Sequence, residues 1–208
     1  MYSQARNEVR EMAFSKGKRI EDETSKRIID HAMNIGCKEG ADALTVTRLC
    51  RELNCDRRVI YNRFRDVDEI NLIVARRCSE ELIANARAAM SQQNSFYDNF
   101  IAFIKAAFTY IYERNSHFQH YTVMYKVTDE GIRNGILQVL ENLIEEGKAS
   151  GEVKADIDSD KLAKSIWLIS TGISGILAAN SNYKYQDGMD TMMYGVKAIL
   201  EYMVCCNG

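Results

Sequence analysis

The chain of 208 residues contains no proline. Average usage would supply roughly ten. Proline breaks helix interiors and favours their first turns. Its absence makes long helical runs easy and excludes collagen-like or proline-rich architectures. Nothing approaches the ~18 consecutive apolar residues of a membrane-spanning helix. The opening segment, MYSQARNEVREMAFSKGKR, alternates charge too often to hold a signal-peptide core, so a cytoplasmic location without membrane contact is expected. Strand-like alternation and internal repeats are missing. So are G-x-S-x-G, a P-loop, a dinucleotide fingerprint and H-E-x-x-H, which points away from an enzyme and from a bound cofactor. Histidine is scarce, at three residues. His117 and His120 stand at i, i+3 without a nearby Cys or carboxylate, so no metal site is expected.

Cysteine is present but unpatterned. Cys37, Cys50, Cys55, Cys78, Cys205 and Cys206 show neither C-x-x-C nor zinc-ribbon spacing. Small buried hydrophobes are the ordinary reading in a cytosolic chain. The sharper alternative, a redox sensor, fits best at the adjacent Cys205-Cys206 pair.

Apolar residues make up 46% of the chain and charged residues 27%, as in an ordinary globular protein. They recur at helical spacing almost throughout, which predicts an all-α fold. Residues 1–23 are polar and read as an arm. A first helix is predicted over Thr24–Lys38, stopped by Gly40. Thr45 looks like the N-cap of a short second helix ending at Leu53. Asn54 suits a left-handed turn, and Asp56 the N-cap of a third helix from Arg57 to about Arg65. Asp66 with Glu69 resembles a capping box opening a fourth, longer helix. After the polar break at residues 91–95, helices are predicted over Phe96–Arg114, near Phe118–Lys126, and over Asp129–Lys148, Ser159–Asn180 and Gln186–Cys205.

The net charge of −2 conceals an asymmetry. Residues 1–66 carry 14 Lys and Arg against 11 acids, and the remainder carries 13 against 18. Within residues 48–65 there are six arginines and two acids. Arginine suits phosphate and guanine, which it can contact through two N–H groups at once.

Three short helices followed by a long one suggest a helix-turn-helix unit. The second helix would lie across the DNA backbone and the third would enter the major groove. Val59, Ile60 and Phe64 would point inward, leaving Arg57, Arg58, Tyr61, Asn62 and Arg63 outside to read bases and phosphates. Thr45, Thr47 and Arg48, at the start of the second helix, would meet a phosphate.

Residues 28–74 resemble the N-terminal domain of the TetR family of bacterial transcriptional regulators. The resemblance is carried by T-V-T-R-L-C-R-E-L-N-C-D-R-R-V-I-Y-N-R-F-R-D-V-D-E-I, residues 45–70. It is supported more weakly by E-E-G-K-A-S-G-E-V, residues 145–153, similar to the turn before the family's dimerisation helices. The departures are informative. Gly36 stands where the family usually has a large aromatic, so the first helix is expected to pack loosely or kink. Asn54 replaces a glycine, and Val67 replaces a frequent phosphate-contacting lysine. Arg58 replaces a small residue and is the best candidate for setting operator preference.

The resemblance implies a helix-turn-helix head over residues 24–66 and a C-terminal bundle over 67–208, with 67–91 as the connecting fourth helix. It implies a homodimer formed by the last two helices, for which Ile166, Ile173, Met192, Val196, Ile199 and Met203 are candidates. Two heads about one DNA turn apart, roughly 34–36 Å, would read a palindromic operator in double-stranded DNA. The resemblance also implies a small-molecule effector pocket in the bundle. Phe100, Phe103, His117, Tyr121, Tyr125 and Trp167 are its candidates and favour a mostly apolar ligand. The leading expectation is a repressor released by such an effector. A DNA-binding protein of the same fold without an inducer, such as a nucleoid or division factor, is the alternative, with an all-α enzyme behind it.

Overall fold

The structure is a computed structural model describing residues 20–114, 130–179 and 182–204. The expected helix near Phe118–Lys126 and most of the N-terminal arm lie outside the described residues. Among those described, eight α-helices follow one another: α1 (Glu23–Glu39), α2 (Val46–Leu53), α3 (Arg57–Tyr61), α4 (Val67–Ala88), α5 (Phe96–Glu113), α6 (Glu130–Ala149), α7 (Ser159–Ala179) and α8 (Tyr185–Met203). A single 3₁₀ turn, Ala41–Ala43, links α1 to α2.

Without proline, the helix boundaries are set by caps. Asp22 begins α1 through a reciprocal capping box with Ser25, satisfying donors that the first turn leaves open. Gly40 ends α1 at φ 89°, a conformation that costs glycine little. The Thr45 hydroxyl accepts from the Arg48 N–H at 3.1 Å to start α2, and Asp66 accepts from the Glu69 N–H at 2.8 Å to start α4. Two details differ from expectation. The Asp56 side chain makes no capping bond to α3. Gly36 is buried within an unbroken α1, so the missing aromatic leaves no kink.

Two apolar clusters hold the chain together. The first joins α1, α2 and α3 to α4 as far as Leu82 and to Tyr110 of α5, with Ile28, Ala32, Leu49, Ile60, Ile70, Val74 and Cys78 fully buried. The second begins at Ala86 in α4 and gathers α5 to α8 around Phe100, Phe108, Ile144, Ile166, Met192, Val196 and Leu200. The connecting helix therefore belongs to both. At its far end the bundle is closed by the turn after α6. There the Glu152 carboxylate accepts from the Phe96 N–H at 2.8 Å, capping α5 from another element. Val153 pairs with Val204 in an isolated antiparallel bridge. No helix among the described residues is long and apolar enough to cross a membrane.

Candidate nucleic-acid interface

The local geometry begins at Asn54, held left-handed at φ 49° and ψ 55°. This turns the chain at the end of α2, and the Cys55 N–H returns to the Cys50 carbonyl at 3.0 Å. α3 then runs for five residues, shorter than the expected helix to about Arg65. The reason lies in its last turn. The Arg63 N–H bonds the Ile60 carbonyl at 2.9 Å, an i to i−3 bond that tightens the helix end.

Ile60 and Phe64 anchor α3 in the first core, with Val59 half-buried. The outer face carries Arg57, Arg58, Tyr61 and Asn62, all exposed. Tyr61 is 52% accessible although large and apolar over its ring. The Arg57 guanidinium donates to the Thr47 hydroxyl at 2.9 Å, tying the start of α3 to the first turn of α2. Thr45 is exposed and already accepts a backbone bond as N-cap. Its hydroxyl proton can still be donated outward.

Two expected DNA contacts are occupied inside the protein. Arg48 is clamped by Glu39 at 2.6 Å and Glu52 at 2.7 Å, with only 23% of its side chain exposed. It joins the end of α1 to α2. These hydrogen bonds raise the pKa of Arg48 further. Those from Arg48, and then from His31, hold the Glu52 carboxyl down at about 2. Arg63 is more deeply committed, at 11% exposure. It donates to both carboxylate oxygens of Asp22, at 2.9 and 2.5 Å, and to the Val59 carbonyl at 2.9 Å. It thus caps the end of α3 and holds the cap residue of α1. The fork with Arg63 is also the main reason that the Asp22 carboxyl lies far below its ordinary range. The sequence reading missed both roles. The acids concerned are ordinary surface types, and Asp22 is 41 residues away from Arg63.

The head is coupled to the bundle through charge. Arg77 of α4 pairs with Asp30 of α1 and with Glu81 at 3.1 Å. Glu81 in turn accepts from the Tyr110 hydroxyl at 2.8 Å and from Arg114 at 3.1 Å, both reached through α5. Burial, then the bond to Glu81, pushes the Tyr110 phenol well above its usual pKa.

The bundle candidates divide differently. Phe100 and Phe103 are buried in the second core, and Trp167 packs half-buried against it. His117, Tyr121 and Tyr125 lie outside the described residues, as do Cys205 and Cys206. An open cavity of about 150 Å³ at the far end of the bundle includes Phe96, Phe100, Asn99, Leu143 and Glu152. Of the effector candidates among the described residues, Phe100 lines it and Phe103 and Trp167 do not.

The dimer candidates lie mostly inside the single chain. Ile166, Met192, Val196 and Met203 have no exposure in the single chain, and Ile173 has 9%. Ile199 is half-buried against the same core. These side chains hold α7 and α8 to the rest of the bundle. The outer faces instead carry Leu168, Ile176, Tyr194 and Tyr202, exposed by 60, 51, 81 and 68%. Gly172 and Gly175 lie beside the α7 pair and face open space.

No family model matches the sequence, and no curated protein matches it. Solved structures do. A TetR transcriptional regulator from Chloroflexus aurantiacus J-10-FL is similar at a TM-score of 0.67 and 17% identity, covering 88% of this chain and 98% of that one. The fold is that of the TetR-family transcriptional regulators. The fatty acid degradation regulator FadR from Bacillus halodurans aligns at 0.69 with 14% identity, over 88% and 95% of the two chains. The ketosteroid transcriptional regulator KstR2 of Mycobacterium tuberculosis aligns at 0.52 with 12% identity, over 89% and 97%. This TetR fold places a helix-turn-helix head on a helical bundle, as the resemblance in residues 45–70 implied.

Proposed function

We propose that this chain is a non-catalytic, DNA-binding transcriptional regulator, acting as a homodimer on a palindromic operator. The observation that carries the reading is the outer face of α3. Arg57, Arg58, Tyr61 and Asn62 stand exposed on a helix whose other side is locked into the head core. Arg can pair with guanine through two bonds, Asn with adenine, and a Tyr hydroxyl with phosphate. Arg58 has no side-chain partner among the described residues, so its donors are free for a base edge. Thr45, Thr47 and the first turn of α2 add phosphate contacts. Residues 24–66 form the DNA-binding unit, 67–91 the connector and the rest the regulatory and dimerising bundle. The cytoplasm is where such a protein would work.

The regulation proposed is repression relieved by a small, mostly apolar effector. The support is the aromatic interior around Phe100 and Phe103 and the half-buried Trp167. Two regulators of similar fold are named for fatty acid and ketosteroid control, and both are apolar chemistries. The effector must favour the arrangement that does not bind DNA, with a coupling of about 1–3 kcal/mol. A thermal-shift screen should show stabilisation by acyl or polycyclic ligands; a purely polar effector would overturn this part.

The DNA reading is tested with duplexes tiling the gene's own upstream region. Retardation of one tile is expected, with affinity falling steeply as salt rises. Arg58→Ala and Tyr61→Ala should each weaken that complex by about 1–3 kcal/mol. No specific tile, or a complex indifferent to both changes, would overturn the assignment.

A further inference from the structure

The helix-turn-helix contains two cysteines that the DNA-reading face does not use. Cys50 lies in the last turn of α2 and Cys55 just beyond it, with left-handed Asn54 between them. The Cys55 N–H bond to the Cys50 carbonyl, 3.0 Å long, folds the chain back on itself. In this type of helix end the two side chains meet, and the neighbouring Cys55 adds to burial in pushing the Cys50 thiol up. Both residues are half-buried, so small solutes reach them. The other two described cysteines, Cys37 in α1 and Cys78 in α4, are enclosed in the first core at 6 and 0% exposure. Reactivity follows access as well as charge.

We propose that Cys50 and Cys55 form an oxidisable dithiol, closed by hydrogen peroxide to a disulfide that releases the head from DNA. The release rests on the DNA-binding reading above; the disulfide does not. In the first step the Cys55 thiolate attacks one peroxide oxygen. The O–O bond breaks, and the departing hydroxide takes up the proton that Cys55 gave up, leaving water and a sulfenic acid. The Cys50 sulfur then attacks the Cys55 sulfur. The S–O bond breaks, and the leaving hydroxide takes the Cys50 proton as a second water. The thiols lose two electrons and two protons, and the peroxide gains both.

Closure draws the sulfurs to ~2.05 Å, nearer than any thiol contact. The turn must tighten to allow it. α3 begins only two residues later and is five residues long, so its tilt follows the turn and its base-reading side chains leave register.

The test uses the full chain, reduced or treated with hydrogen peroxide, with free thiols alkylated before trypsin. Cleavage after Arg48, Arg51 and Arg57 places Cys50 and Cys55 on separate peptides, residues 49–51 and 52–57. The expected product is these two peptides joined, with Cys37 and Cys78 alkylated only after denaturation. Oxidation should weaken binding to the duplex that the reduced protein retards by at least about tenfold. Dithiothreitol should restore it, and Cys55→Ser should bind without responding to peroxide. Absence of the joined peptides, or a sulfinic acid in their place, would overturn the dithiol. Joined peptides with unchanged DNA affinity would overturn the release. A reduced protein that binds no duplex would overturn the DNA-binding reading and the release with it, leaving the dithiol to be decided by mass.

Discussion

Glu52 gathers three side chains of the head: Arg48 at 2.7 Å, His31 at 2.7 Å and Arg51 at 3.4 Å. Its carboxyl titrates at about 2 rather than 4.5, chiefly because Arg48 and then His31 favour the charged form. A carboxylate with a depressed native pKa adds stability above its unfolded pKa and loses it as pH falls through the native value. The urea midpoint should therefore decline as pH falls from about 4.5 to about 2. In Glu52→Gln that decline should be shallower, with a remainder from Glu39 and Asp22, whose carboxyls are also held down. Equal slopes in the two proteins would remove Glu52 from the acid response. The same residues mark a limit of sequence reading. Six arginines in residues 48–65 announced a basic head, but a guanidinium clamped by acids looks identical in sequence to one facing solvent. Arg58 and Arg63 are five residues apart, yet one is exposed and the other clamped, because Asp22 is folded against only one of them.

At the scale of elements, the turn from α6 to α7 shows why particular glycines are required. Gly147 is buried, and a Cβ there would lie 2.6 Å from the Val153 side chain and 2.7 Å from the Phe96 ring. Neither neighbour can yield easily. Phe96 packs in the second core, and Val153 is held by its bridge to Val204. Gly147→Ala should therefore cost about 1–3 kcal/mol of stability, as overpacked sites do, measured by urea unfolding. Gly135→Ala, earlier in α6, meets open space and should leave the folded chain as stable or slightly more so, since glycine is costly in a helix interior. Comparable losses at both sites would refute the packing argument. Elements were the most legible level in the sequence. Helix positions followed from apolar periodicity, and several boundaries from caps that are local by nature: Gly40, Thr45, Asn54 and Asp66. α3 ended early because its last turn tightens through the Arg63 N–H bond to the Ile60 carbonyl, which apolar periodicity does not reveal.

At the scale of the whole molecule, the proposed homodimer needs an accessible surface on α7 and α8. Periodicity marked the Met192, Val196 and Met203 stripe correctly as apolar, but an apolar stripe serves a core and an interface equally well. Burial separates them. That stripe faces α5 and α7 within one chain, while Leu168, Ile176, Tyr194 and Tyr202 point outward. The tyrosines stand at i, i+8 with Ala198 midway, the same helical spacing on the opposite side. Four large side chains held out of the core carry a cost in water unless something covers them, and Gly172 and Gly175 would let a neighbouring helix approach closely. If two copies pair here, Leu168→Glu with Ile176→Glu should yield a folded monomer by light scattering, with helical content unchanged. That monomer should bind the operator far more weakly, because one head forms half the contacts. Val196→Asp should instead unfold the chain, because its charge would be buried without a partner. A double variant that remains dimeric, or a wild-type chain that is monomeric, would place the interface elsewhere or remove it.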